Sequence, residues 1–160
     1  MSIEMKITGL MIDPVSNMPI IVLKSPDGES VLPIWVGIFE ANAIAMQLEN
    51  VVSPRPMTHD LLKNLVEGLD ARVDKVVITD LKENTFFAMI HLEHNGAQLT
   101  VDARPSDAMA LALRVSAPII VEPIVLDRTA SGQGEASNET ERLRKWLETV
   151  EPEELGKYEM

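Results

Sequence analysis

Two stretches of the sequence place an Arg-Pro pair just before hydroxyl and carboxylate side chains and an apolar helical run. They are PRPMTHDLLKNL, residues 54–65, and VDARPSDAMALALR, residues 101–114. A guanidinium can hold a phosphate through paired hydrogen bonds, and a helix N-terminus presents unpaired N–H groups to an anion. Each stretch therefore predicts a phosphate-binding site, although arginines that pair with acidic neighbours and hold loops in place fit the same spacing. The predicted ligands are Arg55 and Thr58 in the first stretch and Arg104 and Ser106 in the second.

The same stretches contain groups that could transfer protons or bind a metal ion. His59, Asp60, Asp102 and Asp107 are the predicted catalytic residues, because imidazole and carboxylate groups act as general acids and bases. Glu40, Asp102 and Asp107 are the predicted metal ligands. Asp60 and Asp107 have an alternative explanation, since an acidic side chain also stabilises the positive end of a helix dipole.

Composition limits what these residues could bind. The chain of 160 residues has no cysteine, so thiolate sites are excluded and the remaining ligand types favour Mg²⁺ or Mn²⁺. The formal net charge of -11 at pH 7 gives no overall attraction to nucleic acid, so positive charge must be focused at a site. No apolar run approaches the ~20 residues that span a bilayer, and the charged N-terminus does not resemble a secretion signal. We therefore expect a cytoplasmic protein that does not enter the membrane.

Apolar alternation and turn residues predict strands through most of residues 1–126. We expect antiparallel strands joined by tight hairpins, and Asn95-Gly96 is a strong signal for one of these turns. Trp35 and Phe39, where a predicted strand is followed by a helix, could offer a stacking surface, but core packing is the favoured interpretation. Together with the helices described next, these strands predict an α+β fold.

Three short helices are predicted within the same region. The first follows Gly37, and the second and third begin at Thr58 and Ser106, whose hydroxyl groups are expected to cap them. Apolar residues at helical spacing predict the buried side of the second helix. These residues are Leu61, Leu62 and Leu65.

The sequence changes character after residue 126. Residues 127–138 are small and polar and predict a flexible linker. Residues 139–160 form an acidic tail, whose first part predicts an amphipathic helix that docks on its own domain or on a second copy. The apolar side of this predicted helix consists of Leu143, Trp146, Leu147 and Val150.

Several motifs, in order along the chain, resemble the bifunctional nuclease family. They are LPIWVGIFEANAIAMQLE, PRPMTHDLL, F-x-A-x-I-x-L, and DARPSDAMALALR followed by APIIVE. The resemblance covers residues 1 to about 126 and implies an α+β fold, nuclease activity on DNA and RNA, and self-association as a dimer or trimer. The positions that match the motifs are Glu40, Arg55, Pro56, Thr58, His59, Asp60, Asp102, Arg104, Pro105, Ser106 and Asp107.

The leading hypothesis is a nuclease that hydrolyses phosphodiester bonds of DNA and RNA with low sequence preference, assisted by a divalent metal ion. A second hypothesis is a homo-oligomeric module that binds a phosphate or a phosphorylated metabolite without catalysis. A third is that the Arg-Pro motifs are architectural, with Arg104 and Asp102 forming a buried ion pair between a strand and a helix. All three depend on where the two arginines lie.

Overall fold

In the computed structural model, residues 1–132 are described, and within them seven strands form one sheet against which four helices pack. The strands are β1 (Ile3–Ile12), β2 (Pro19–Lys24), β3 (Val31–Trp35), β4 (Ala71–Lys82), β5 (Thr85–His94), β6 (Ala97–Ala103) and β7 (Ile119–Val121). The helices are α1 (Ile38–Leu48), α2 (Thr58–Gly68), α3 (Pro105–Val115) and α4 (Pro123–Ala130). The predicted α+β class is confirmed, with one more helix than the three expected in this region.

The sheet has the strand order β3-β2-β1-β7-β4-β5-β6. Its neighbours are antiparallel except for β7 and β4, which run parallel, with Ile119 opposite Val76. The expectation of purely antiparallel strands is therefore wrong at this position. The chain between β4 and β7 contains β5, β6 and α3, and a connection of this length allows a strand to return in parallel.

Two hairpins produce the β4-β5-β6 half of the sheet. The backbone φ angles are 50° and 63° at Glu83 and Asn84, and 52° and 80° at Asn95 and Gly96. Two successive positive φ angles in a two-residue loop match the type I′ turn, whose twist suits antiparallel strands. The hairpin predicted at Asn95-Gly96 is confirmed.

Helix α3 is the central helix of the described chain. It packs against α1, α2, β4 and β5, and Ala108, Met109, Ala110 and Ala112 are fully buried. The small alanine side chains let neighbouring elements approach closely, and Ile44 of α1, also fully buried, belongs to the same core. The first turn of α3 is therefore held on several sides by packed structure.

The first turns of α2 and α3 differ from expectation. Met57 and Arg104 occupy the N-cap positions, so the predicted caps Thr58 and Ser106 lie one and two residues inside their helices. The side chain of Asp60 accepts a hydrogen bond from the Met57 backbone N–H at 3.0 Å. An acidic side chain reaching back to the N-cap satisfies a free N–H group that a hydroxyl cap would leave unpaired.

Helix α2 lies at the surface with its apolar side outward. Leu61, Leu62 and Leu65, which were predicted to be buried, are 51%, 37% and 53% exposed. The residue of α2 that is buried is His59. The predicted helix is confirmed, but periodicity alone does not say whether its apolar side faces the core or another molecule.

Helix α4 extends across the domain boundary predicted at residue 126. Arg128 donates hydrogen bonds from Nη1 to Asp80 Oδ1 at 2.5 Å and to the Leu81 carbonyl oxygen at 3.0 Å. Residues 127–130 are thus helical and attached to β4, and the predicted start of the linker is wrong.

The remaining linker residues 133–138 and the predicted helical tail, residues 139–160, lie outside the described residues. Within residues 1–132, no helix has both the length and the apolar character needed to cross a membrane.

The packing of α4 can be tested with matched valine substitutions. Val125 is fully buried in the core, whereas Val15 is 69% exposed. We expect Val125→Ala to lower the free energy of unfolding by about 2 kcal/mol, because two buried methyl groups are lost and a cavity remains. Val15→Ala should change it by less than about 0.5 kcal/mol. Equal effects in urea unfolding would show that α4 is not part of the cooperative core.

Candidate active site

A cavity of about 320 Å³ opens where α1 and the first turns of α2 and α3 meet. Its wall on α1 follows one side of that helix, and the opposite wall contains charged and polar groups from the other two helices. Eleven residues line it: Phe39, Glu40, Asn42, Ala43, Met46, Met57, Thr58, His59, Arg104, Asp107 and Arg114. Five of the predicted site residues, Glu40, Thr58, His59, Arg104 and Asp107, therefore lie together.

The carboxylate of Asp107 connects two of the cavity's functional groups. Its Oδ1 lies 2.8 Å from Nε2 of His59, and its Oδ2 accepts a hydrogen bond from Nε of Arg104 at 2.7 Å. Arg104 also contacts Glu40, with 2.6 Å between Nη2 and Oε1. One hydrogen-bonded chain thus runs from α2 through the start of α3 to α1.

Asp107 remains ionised at neutral pH. Burial raises the pKa of this carboxyl group, but hydrogen bonds from Arg104 and His59 and the positive charge of Arg104 more than offset that effect, so its pKa is lowered. An ionised carboxylate only accepts hydrogen bonds, so Nε2 of His59 must carry the proton that they share. In neutral His59, the lone pair is consequently on Nδ1.

The second ring nitrogen of His59 is available to a ligand. His59 is 7% exposed, and Nδ1 makes no hydrogen bond within the described chain. No buried side-chain nitrogen or oxygen in residues 1–132 lacks a hydrogen-bond partner, so Nδ1 is not sealed inside the protein. Because His59 lines the cavity, this nitrogen is in position to exchange a proton with a bound molecule.

Arg104 is anchored by carboxylates but remains largely open to solvent. Its side chain is 67% exposed, and the hydrogen bond to Asp107 raises the pKa of its guanidinium. A guanidinium has five N–H donors, and contacts with Asp107 and Glu40 account for only two of them. The remaining donors can bind an anion while the two carboxylates fix the plane of the group.

Arg114 is a cavity residue that the sequence patterns did not identify. Its Nε donates to Asp60 Oδ1 at 2.7 Å, and its terminal nitrogens donate to the carbonyl oxygens of Ala110 at 2.9 Å and Ala43 at 3.0 Å. With a side chain only 6% exposed, it ties α1, α2 and α3 together. Arg114 follows Asp107 by seven residues, which is nearly two helical turns. This spacing in the sequence indicates that both residues lie on one side of α3.

Both carboxylate oxygens of Asp60 accept hydrogen bonds that stabilise the fold, Oδ2 from the Met57 backbone and Oδ1 from Arg114. Hydrogen bonds from the Met57 backbone and from Arg114 lower the pKa of its carboxyl group. The residue is absent from the cavity wall. Its predicted catalytic role is therefore not supported by its position, and the helix-start interpretation explains it instead.

Three other predicted site residues lie outside the cavity wall. Arg55 is exposed in the loop before α2, where it makes no ion pair with any residue in 1–132. Asp102 is exposed on β6, opposite Met89, and Ser106 is buried inside α3. Arg55 is absent from the wall of the cavity that Arg104 lines. The predicted ion pair of Arg104 with Asp102 is replaced by pairs with Glu40 and Asp107.

The predicted metal site does not form from its three carboxylates. In the described part of the chain, no group of three histidine or acidic side chains is arranged to hold a metal ion. Glu40 and Asp107 lie close together but contact the guanidinium of Arg104 between them, and Asp102 is elsewhere. Arg104 therefore supplies the positive charge between these two carboxylates and offsets one of their two negative charges.

Comparison with known proteins agrees with the resemblance seen in the motifs. Residues 21–133, more than two thirds of the chain, match the model of the bifunctional nuclease domain. The chain belongs to this family. The match begins in β2 and includes every residue of the cavity wall.

Relatives of this domain differ in length and in what their names describe. The uncharacterized protein Rv1829 of Mycobacterium tuberculosis (strain ATCC 25618 / H37Rv) is 37% identical over 162 residues, covering 95% of this chain and 97% of that protein. Bifunctional nuclease 1 of Arabidopsis thaliana is 33% identical over 107 residues. Bifunctional nuclease 1 of Oryza sativa subsp. japonica is 31% identical over 105 residues. The match spans about a third of each plant protein and 64% and 63% of this chain, respectively.

The lowered pKa of Asp107 predicts a change in stability with pH. Because the pKa is lower in the folded than in the unfolded chain, the stabilisation is complete above the unfolded-state pKa and is lost as pH falls through the folded-state pKa. We expect Asp107→Asn to be destabilised at neutral pH and to approach the wild type under strongly acidic conditions. Urea unfolding across a pH series measures this difference.

Asp102→Asn is the control for that series, because Asp102 is exposed and makes no ion pair with the rest of residues 1–132. Its unfolding free energy should follow the wild type at every pH. A constant difference between Asp107→Asn and wild type over the whole series would contradict the ionised, hydrogen-bonded state of Asp107.

Proposed function

We propose that the protein is a nuclease that hydrolyses phosphodiester bonds of DNA and RNA with low sequence preference. The observation that carries the proposal is the His59–Asp107 pair beside the exposed guanidinium of Arg104 in one cavity. Membership of the bifunctional nuclease domain family and similarity to plant proteins named bifunctional nucleases support the same reaction class. Nucleic acid strands are thus the proposed substrates.

In the proposed mechanism, His59 acts as the general base. Nδ1 takes a proton from a water molecule, whose oxygen attacks the phosphorus, and the P–O bond to the leaving oxygen breaks. The protonated imidazole returns the proton to the leaving oxygen. Asp107 stabilises the imidazolium through its contact with Nε2, which is the role of a carboxylate paired with a catalytic histidine.

Arg104 supplies positive charge to the phosphate in this mechanism. Its unused N–H donors would bind the non-bridging oxygens, where negative charge increases in the transition state. Glu40 and Asp107 hold the guanidinium in place, so little side-chain freedom is lost when the phosphate binds. Contacts made to phosphate alone do not distinguish ribose from deoxyribose, which accounts for activity on both DNA and RNA.

Participation of Mg²⁺ or Mn²⁺ stays a separate proposal. The predicted trio Glu40, Asp102 and Asp107 does not fit a metal ion in this structure, so the mechanism above assigns no step to one. A chelator and added metal ions therefore belong in every cleavage assay.

We also propose that the protein acts in the cytoplasm, with which a chain without cysteine is compatible.

Alanine substitutions test the assignment of the cavity residues. We expect His59→Ala to lower kcat by about 10²- to 10⁴-fold, which is the usual contribution of a general base. Arg104→Ala should raise KM and lower kcat, because Arg104 contacts the phosphate in both the ground state and the transition state. The measurement is cleavage of labelled DNA and RNA strands by purified protein, with and without EDTA, Mg²⁺ and Mn²⁺.

Asp102→Asn is the matched control, since Asp102 is outside the cavity wall and should leave cleavage unchanged. Equal activity of His59→Ala, Arg104→Ala and wild type would sink the nuclease proposal. Loss of activity in Asp102→Asn instead would support the metal site predicted from the sequence over the cavity described above.

A non-catalytic phosphate-binding module is the second proposal. It is favoured by the two carboxylates that hold Arg104 in a fixed orientation, since a fixed guanidinium binds a phosphate without any chemical step. Thermal-shift screening with inorganic phosphate, nucleotides and sugar phosphates separates the two proposals. Stabilisation by a small phosphate together with no cleavage under any metal condition would favour the binding module.

We further propose that the protein is a homo-oligomer that associates through the apolar side of α2. This surface, the α2 apolar face, consists of Leu61, Leu62, Leu65 and Leu69, which are between 37% and 67% exposed. Val51 and Val52, in the loop between α1 and α2, are 50% and 90% exposed and add further outward-facing apolar side chains. A second copy of the chain is the proposed partner, because pairing two such faces buries both.

Single cysteine substitutions test this interface cleanly, because the chain has no cysteine of its own. We expect Leu65→Cys to form a covalent dimer under mild oxidation, whereas Leu99→Cys, which is on the edge strand β6, should not. Non-reducing gels and sedimentation of the unmodified protein provide the measurements. Dimers of Leu99→Cys alone would indicate association through the sheet edge, and a monomeric wild type would contradict the proposal.

A further inference from the structure

Phe39 is an aromatic side chain displayed at the mouth of the cavity. It lies in the first turn of α1, is 83% exposed, and contributes to the cavity wall. The core packing favoured from the sequence is therefore wrong for this residue, and the stacking alternative is the one that fits its exposure. Single exposed apolar side chains are common on protein surfaces, so exposure alone does not mark a site. Phe39 differs because it lines the same cavity as His59 and Arg104.

The cavity wall has an apolar part and a charged part. Phe39 and Met46, seven residues apart on α1, share one side of the helix, and Met57 adds a second thioether before α2. His59 and Arg104 provide the polar part. A nucleotide has the same two parts, since its base offers a flat apolar face and its phosphate a negative charge.

The size of the cavity limits which nucleic acids fit. A volume of about 320 Å³ is at the lower end for small-molecule sites and suits one nucleotide unit. In a duplex, the face of each base is covered by its neighbours, so an aromatic side chain reaches it only after the base leaves the stack. An unpaired base offers its face at no such cost.

We propose that Phe39 stacks on an unpaired base next to the phosphate held by Arg104, so that single-stranded DNA and RNA are the preferred substrates. This inference rests on the proposed nuclease function and names its substrate class. Stacking accepts every base, because each base has a π-face, which agrees with low sequence preference. The protein would then distinguish single-stranded from double-stranded nucleic acid, but not one base from another.

Substitution of Phe39 tests the inference directly. We expect Phe39→Ala to weaken binding and raise KM for a single-stranded oligonucleotide by about 5- to 150-fold, the range found for loss of one base–aromatic stack. Activity on a blunt duplex of the same sequence should change much less. Phe39→Trp should restore single-strand affinity, because tryptophan also presents a flat aromatic face.

Phe87→Ala is the matched control, since Phe87 is 39% exposed on β5 and absent from the cavity wall. An abasic oligonucleotide of equal length adds a test that does not alter the protein. Wild type should bind the abasic strand as weakly as Phe39→Ala binds the normal strand, and Phe39→Ala should not distinguish the two. Fluorescence anisotropy measures these affinities even if no strand is cleaved.

The outcomes separate this inference from the proposed function. If wild type cleaves nucleic acid and His59→Ala does not, but Phe39→Ala keeps wild-type affinity for single strands, the stacking inference alone is overturned. If Phe39→Ala instead changes the mass of the protein in solution without affecting strand preference, Phe39 belongs to an interface between copies. Preference for duplex over single strands in the anisotropy assay would also overturn it.

Discussion

The shared carboxylate of Asp107 is the interaction on which the arrangement of the cavity depends. It receives a hydrogen bond from His59 on α2 and another from Arg104 at the N-cap of α3, so it sets the relative position of two helix starts. Desolvation of the carboxylate is unfavourable, and the two hydrogen bonds and the charge of Arg104 offset it. Because α3 is packed on several sides, the carboxylate is presented from a rigid support.

Local features of the sequence predicted much of this structure, and long-range partners accounted for most errors. Hairpins and helix positions follow from a few neighbouring residues, so the turn at Asn95-Gly96 and the place of α2 along the chain agree with the prediction, although Met57 and not Thr58 is the N-cap. Arg114 contacts Asp60, 54 residues away, and the carbonyl oxygen of Ala43, 71 residues away, and no short motif contains such information. Asp102 precedes Arg104 by two residues but remains on an exposed strand.

Carboxylates in and around the cavity offset the positive charge of its two arginines. Electrostatic attraction by these arginines alone is therefore not enough to hold a polyanion. Arg114 pairs with one carboxylate, that of Asp60, whereas Arg104 contacts two, those of Glu40 and Asp107. The protein's own carboxylates therefore more than offset the positive charge of the two arginines. The whole chain has a net charge of -11, which opposes the approach of nucleic acid. In the proposed function, binding would therefore draw on short-range hydrogen bonds to phosphate and on apolar contact, and the exposed ring of Phe39 would supply the second of these.

Helix α2 links the cavity to the α2 apolar face. One side of the helix contributes His59 to the site, while the α2 apolar face points outward. His59 on α2 contacts Asp107 on α3, so any movement of α2 would shift His59 relative to Asp107. Contact of the α2 apolar face with a second copy would restrict that movement. Self-association and the geometry of the His59–Asp107 pair are consequently expected to depend on each other, even though the two surfaces lie on different sides of the helix.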